Sequence, residues 1–242
     1  MGTVIRGGRL IDPAHGVDAV ADVFIAAGRI AGTGRPPEGF AIERIIDARD
    51  RIVCPGLIDL CARLREPGQE HKASIASETR AAAAAGITTL VCPPDTDPVI
   101  DEPAVVEWIR RRAKAAGRVR VLALGALTHR LRGERLAEMA ALKDAGCVGA
   151  SDGGRPIVNT LVLRRALEYA ATFDLTVFLT PLDPWLGHGV AHEGQVATRM
   201  GLPGIPAAAE TGILARDLEL VREIGVRVHF GRLSCARSAA LI

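Results

Sequence analysis

The sequence contains no apolar run of ~18 residues, so nothing in its 242 residues reads as a membrane-spanning helix. The N-terminal MGTVIRGGRL lacks the charged stretch followed by an apolar one that marks a secretory leader. There is no charge excess. Thirty Lys and Arg face 28 Asp and Glu, the net charge is +2, and no basic stripe makes up the difference. That excludes the usual footprint of a nucleic-acid partner. Lysine is nearly absent (Lys72, Lys114 and Lys143 among the 30 basic residues), a bias that codon usage explains before function does. No C-x-x-C occurs. The five cysteines, Cys54, Cys61, Cys92, Cys147 and Cys235, are odd in number and widely spaced, which argues against a disulfide framework or a structural zinc site. Four of them sit in apolar, strand-like runs and read as small buried hydrophobes of a reducing cytoplasm.

What is present is an ordinary globular composition, 48% hydrophobic and 24% charged, in two differently patterned parts. Residues 1–52 read as short strands between Gly, Asp and Pro punctuation: VIRGGRLI, DVFIAAGRIAG and IERIIDA. Residues 53–242 repeat strand, loop and helix. The expected strands are Val53–Leu64, Ile87–Cys92, Val119–Leu127, Val148–Ser151, Leu175–Thr180 and Val226–Leu233. The expected helices are Ala73–Ala85, Glu102–Ala116, Glu134–Ala145, Leu161–Phe173 and Ala207–Ile224, with a further helix start at Ala236–Ile242. Gly86, Gly117, Gly146 and Gly225 follow four of these helices, as left-handed C-terminal caps require. Asp101 and Pro103 read as helix-start signals.

Six such units predict a parallel sheet with right-handed crossovers. A doubly wound sheet and a (β/α)₈ barrel both fit. No G-x-G-x-x-G follows the first strand, which weakens a dinucleotide fold. The loops after the strands are polar and irregular, as in Arg65–Glu66–Pro67–Gly68, Pro94–Asp95–Thr96–Asp97 and Ser151–Asp152–Gly153–Gly154, which suits a barrel whose site lies at the C-terminal strand ends. The α/β fold expected is therefore a TIM-type barrel with about six of its eight units, incomplete at the C-terminus, behind a small β part. Either the chain is a fragment or another chain closes the sheet.

Five ordered segments resemble the dihydroorotases of the cyclic amidohydrolase superfamily. They are PGLIDLCARLREPGQEHK (55–72), TTLVCPPDTDPVID (88–101), ASDGGRP (150–156), HEGQVATRMGLPGIP (192–206) and VRVHFGRLSCARSAALI (226–242). The N-terminal GGRLIDPAHG…DVFIAAGRIAG resembles that family's β-sandwich half. The resemblance implies a zinc site, usually a pair, at the mouth of the barrel. Its ligands would be a His-x-His pair on the first strand, an Asp on the fourth, one His each on the fifth and sixth, and an Asp general base on the eighth. The matching positions here are Cys61 and Arg63, Asp152 (or the neighbouring Gly153), Thr180 and Arg232; the chain ends before the eighth strand. Every imidazole ligand is replaced.

Arginine has no lone pair to offer and stays protonated. Two unit charges ~4 Å apart repel by about 4 kcal/mol at an effective dielectric of 20, and a dication beside each Arg roughly doubles that. Without metal there is neither a lowered water pKa nor a Lewis acid. The resemblance also carries over the family's carboxylate-holding Arg as Arg65, while the family's nearby Asn is Asp95. Arg65 and Asp95 are thus the residual anion-binding candidates. A more local reading pairs Asp95 and Asp152 with Arg63 or Arg232.

His15, His71, His129, His188, His192 and His229 form no H-x-H or H-E-x-x-H. His188 and His192 read as loop residues, and His229 as a packed, hydrogen-bonded side chain. Cys61 as a nucleophile would need a general base that the sequence does not place. Asp95–Thr96–Asp97 lacks the Gly and Glu of a calcium loop. Segment 192–206 reads either as a cover for the barrel mouth or as a partner surface. RALEYAATFDLTV (165–177) and CPPDTDP (92–98) resemble the non-catalytic dihydroorotase-like chains of bacterial aspartate carbamoyltransferase complexes. The resemblance thus implies a pseudoenzyme of pyrimidine biosynthesis without catalytic or metal-ligand residues. It would be cytoplasmic and cofactor-free, a hetero-oligomer with the transcarbamoylase catalytic chain, and bound to neither nucleic acid nor membrane. The alternative is an active zinc dihydroorotase.

Overall fold

The computed structural model describes residues 2–242. The chain divides into two compact units, one up to Leu57 and one from Ile58 to Ile242. The sequence pattern had placed this division at 52/53. It moves because Ile52 and Val53 pair with Arg9 and Leu10 of the first strand.

In the first unit, β1 (Gly2–Asp12), β2 (Val17–Ala26), β3 (Arg29–Thr33), β4 (Arg44–Asp47) and β5 (Ile52–Val53) form one sheet in the order β3-β2-β1-β4, with β5 also on β1. The run DVFIAAGRIAG folds as the β2–β3 hairpin of this sheet. Alternation places Val4, Leu10 and Phe24 inside, and Phe24 meets the ring edge of Phe40 at 5.3 Å between centroids.

The second unit runs β6 (Leu57–Asp59), α1 (Ile75–Ala84), β7 (Ile87–Cys92), α2 (Pro103–Ala116), β8 (Arg120–Ala126), α3 (Met139–Asp144), β9 (Cys147–Ser151), α4 (Thr160–Thr172) and β10 (Thr176–Leu179). It continues through β11 (Ala191–His192), α5 (Gln195–Arg199), β12 (Gly204–Ile205), α6 (Ala208–Ile224), β13 (Val228–Phe230) and α7 (Ala236–Leu241). The main sheet is ordered β13-β10-β9-β8-β7-β6, and its neighbours from β7 to β13 pair in parallel. Strand order follows chain order without reversal. A doubly wound sheet must reverse at its switch point, so this is the winding of a (β/α) barrel, six strands of it.

The helices form for legible reasons. In α4 the buried residues Leu163, Ala166, Leu167 and Ala170 recur at i, i+3, i+4 and i+7, and Asn159 caps its first turn. Ser74 caps α1 reciprocally with Ser77. Pro103 opens α2 as expected, but its cap is Glu102. Asp101 instead accepts from the Arg130 amide and pairs with His129 Nδ1 at 2.9 Å. The expected helix Glu134–Ala145 shortens to α3, because residues 134–138 serve the loop after β8: the His129 amide donates to Arg135 O and the Ala137 amide to Leu127 O.

The core lies between sheet and helices. Leu167 is fully buried there, whereas Leu161, in the first turn of α4, is 62% exposed. Leu167→Ala should therefore cost about 2–5 kcal/mol in urea denaturation, while Leu161→Ala should stay within about 0.5 kcal/mol of wild type.

Candidate functional site

Parallel strands deliver all their following loops to one end, and Cys61, Arg63, Asp95, Asp152, Thr180 and Arg232 all follow strands of this sheet. The first departure comes at once. The expected strand Val53–Leu64 is interrupted at Cys54–Gly56 and ends at Asp59, so Cys61 and Arg63 lie beyond β6, in a turn and the segment after it. The Cys61 amide donates to Asp59 Oδ1 at 2.8 Å and closes that turn.

Arg63 reaches across to the loop after β7. Its Nε donates to Asp95 Oδ2 at 2.7 Å, and its Nη2 to the Gly153 carbonyl at 3.1 Å. The pair is about two-thirds to three-quarters buried. Burial works against the Arg63 charge, but the Asp95 hydrogen bond and charge outweigh it, so the guanidinium is held protonated. Half of the local expectation is met: Asp95 pairs with Arg63.

Asp152 does not pair with an arginine. Its Oδ1 accepts the amides of Leu127 and Thr128 at 3.1 and 2.9 Å, and its Oδ2 accepts the Thr128 hydroxyl at 2.6 Å. This carboxyl is 3% exposed. Burial pushes its pKa up, and the bonds from Thr128 and Leu127 only partly offset that. It turns toward the β8 loop because buried backbone amides there need an acceptor.

Arg232 follows β13. Its Nη2 stands 3.8 Å from Cys61 Sγ, and among the described residues no carboxylate reaches salt-bridge distance. Gly153 (φ +67°) and Gly154 (φ +93°) make these approaches possible. A Cβ on Gly153 would stand 2.9 Å from the Asp95 Cβ, and one on Gly154 would stand 2.7 Å from Arg232 Nη1. Thr180, after β10, borders two cavities with Arg232 and Gly154.

The other sequence candidates resolve differently. Arg65 Nη1 donates to Gln69 Oε1 at 3.2 Å, and Lys72 shares that acceptor. The space that Arg65 shares with Asp95 measures about 10 Å³, barely one water. Arg65 also borders an open cleft whose walls carry the carboxylates of Asp59 and Glu78. His229 lies against the Phe178 ring, 5.1 Å between centroids, but is exposed rather than a packed, hydrogen-bonded side chain. His192 sits in β11 and His188 in the loop before it, both exposed. The buried-thiol reading holds for Cys92 and Cys147, both pushed up to about 12 by burial. Cys54 and Cys61 are exposed, contrary to that reading.

Two acids escaped the sequence reading. Glu66 is buried, pairs with Arg112 at 2.7 Å and accepts the Ile75 amide at the start of α1. Glu210 of α6 accepts the Ser234 amide and hydroxyl and the Cys235 amide, fixing the loop after β13. Burial works against its ionisation, but these hydrogen bonds prevail and hold it at about 2. An acid inside a helical stretch gives no sequence signal that its partner lies 24 residues away.

Zinc does not fit these residues. Of the positions that the resemblance implies as ligands, Arg63 and Arg232 carry guanidiniums, Thr180 a hydroxyl, and Asp152 is committed to the β8 loop. Among the described residues no three His, Cys, Asp or Glu side chains are grouped to hold a metal ion.

Comparison with known proteins agrees with the winding. Solved structures similar in fold include an L-hydantoinase from Arthrobacter aurescens, at a TM-score of 0.79 and 20% identity over 99% of this chain and 55% of that one. A D-hydantoinase matches at a TM-score of 0.70 and 19% identity. The chain is thus an incomplete TIM-type barrel. The family model of dihydro-orotase-like proteins matches residues 50–238, and the chain belongs to that family. Relatives include a dihydroorotase-like protein of Pseudomonas aeruginosa, 51% identical over 98% of this chain and 56% of its own length, and a dihydroorotase of Anaeromyxobacter sp. (strain K), 46% identical over 98% and 55%. The chain spans a little over half the length of these relatives.

Two outcomes test the site. A double-mutant cycle of Arg63→Ala and Asp95→Ala should give a coupling of about 1–3 kcal/mol, in the range of a charge-assisted hydrogen bond. Glu210 has its folded pKa depressed below the ordinary 4.5, so its contribution is complete above that value and is lost as pH falls toward about 2. Glu210→Gln should therefore lower the urea midpoint near neutral pH, and its deficit should shrink through that acid window.

Proposed function

We propose that this chain is the dihydroorotase-like part of a non-catalytic subunit that supports assembly or stability of aspartate carbamoyltransferase in the cytoplasmic synthesis of pyrimidines. The observation that carries the reading is the Arg63–Asp95 pair. A metal-ligand position of the family is occupied by a permanently charged cation, and that cation has its own anion. Arg232 places a second cation at another ligand position, and Thr180 removes a third donor. The relative 51% identical to this chain bears the name dihydroorotase-like rather than dihydroorotase.

The mechanism that follows is a structural one. Arg63 joins the loops after β6, β7 and β9 through Asp95 and the Gly153 carbonyl. Asp152 joins the loop after β9 to that after β8. Glu210 fixes the loop after β13. These bonds order the mouth of the barrel with protein groups where an enzyme of this family would use metal. A rigid mouth presents a partner with a surface already ordered, which lowers the entropy cost of association. The second reading, an active zinc dihydroorotase, draws on the relatives 46% identical to this chain that carry that name.

Co-expression of the full-length protein with the transcarbamoylase catalytic chain tests the proposal. The two should co-elute on size exclusion, and the purified complex should neither retain zinc near one ion per chain nor cyclise carbamoyl-aspartate. Separate elution would overturn the assembly role. Stoichiometric zinc together with turnover would establish the enzyme instead.

A further inference from the structure

Among the described residues, Arg130 and Leu131 are the one adjacent pair of non-glycine residues with positive φ, +54° and +57°. Neither has the short polar side chain that eases this conformation in Asn and Asp, so the turn after β8 runs against the backbone preference of both. Such a conformation persists only where the surroundings enforce it. Here the enforcing groups come from other loops. Asp101, which follows β7, accepts the Arg130 amide at 3.0 Å and faces His129 Nδ1 at 2.9 Å. Asp152, which follows β9, accepts the Thr128 hydroxyl at 2.6 Å. Thr128 Oγ1 in turn accepts the Gly133 amide at 2.9 Å and closes the turn.

The strain seats one side chain. Leu131 is 5% exposed and belongs to the core cluster that holds Leu64, Cys92 and Ile100, while Arg130 and Arg132 on either side are exposed. Leu131 also reaches the loop that carries the Arg63–Asp95 pair. A Cβ on Gly153 would stand 2.9 Å from the Asp95 Cβ and 3.5 Å from Leu131 Cδ1, so Gly153 faces both the acid and the apolar wedge. Cys92 borders the small cavity that Arg63 and Asp95 line. The exposed Arg130 side chain makes no hydrogen bond or ion pair that would offset the strain. What offsets it is the burial of Leu131 and the bonds to Asp101.

We infer that residues 128–133 form a conformational latch, with Leu131 as its wedge and Asp101 as its catch, and that release of the wedge loosens the mouth of the barrel. The two states differ in a defined way. In one, Leu131 is seated and the backbone is strained; in the other, the backbone relaxes and Leu131 leaves the core. The holders come from separate strands, so seating ties the loops after β7, β8 and β9 into one unit, and release frees all three. A partner that recognises the ordered mouth favours the seated state, which makes the latch a point of control. The latch stands apart from the subunit reading: its opening is measurable in the protein alone, and failed co-elution with the transcarbamoylase leaves it standing.

Alkylation of two buried thiols in the full-length protein tests the latch. Cys92 ends β7, on the side of the wedge, and Cys147 starts β9, at the opposite end of the parallel sheet. Burial pushes both thiols up to about 12, so neither reacts until it opens to water, and Cys147 reports global unfolding. The rates are read with iodoacetamide under native conditions, followed by peptide mass spectrometry. Asp101→Ala removes the catch and should raise the Cys92 rate several-fold with Cys147 unchanged. Arg130→Gly removes strain, because glycine adopts positive φ freely, and should lower the Cys92 rate below wild type. In the double variant it should bring the rate back toward wild type. An Asp101→Ala rate equal to wild type would overturn the catch. Parallel rises at Cys92 and Cys147 would mean global unfolding and overturn the latch. A Cys92 rate in Arg130→Gly at or above wild type would overturn it as well, and that comparison decides the matter even if Asp101→Ala fails to fold.

Discussion

A guanidinium withdrawn from water must find acceptors, and the mouth of this barrel is arranged around that demand. Arg63 finds a carboxylate in one loop and a backbone carbonyl in another, and so joins three strand ends with one side chain. Removing its partner would leave a partly buried charge without an anion, which costs more than the pair itself contributes. The geometry on either side follows from this. Gly153 must lack a Cβ for Asp95 to sit where it does, and its carbonyl is turned to Arg63.

The barrel winding makes such a network reachable. Cys61 and Arg232 are 171 residues apart in sequence, yet their strands end on the same side of one parallel sheet. Every loop that leaves the C-terminal strand ends is therefore a candidate partner for every other. Nature builds catalytic sites there because few residues are needed to change the chemistry. The same economy works in reverse. On the proposed reading, Arg, Cys and Thr at the strand ends supply ion pairs and hydrogen bonds while strands, helices and caps stay as the barrel requires.

The remaining ties keep that surface ordered. Glu66 and Glu210 are buried acids that accept backbone amides at the starts of α1 and α7, so each fixes a loop to a helix. Asp152 is the contrasting case, a carboxyl whose burial opposes its charge although three donors surround it. The three acids differ because their neighbours differ, and none of those neighbours is adjacent in the chain.

Much was legible in the sequence alone. The strand–helix alternation, the glycines that end helices and the polar strand-end loops are local signals set by backbone sterics and side-chain period, and they fixed the barrel class and the positions of its loops. The permanent charge of Arg63 and Arg232 is likewise a matter of residue type. Only the tertiary structure decided which acid answers which base. Asp95 and Asp152 are equally plausible partners as letters, but one loop brings the former to Arg63 and buried amides claim the latter. Arg65 and Arg232 are likewise equal as cations, yet Gln69 takes one and the fold leaves the other facing open space. Charge is carried by the residue, whereas partnership depends on distance and burial, which arise only when distant loops meet.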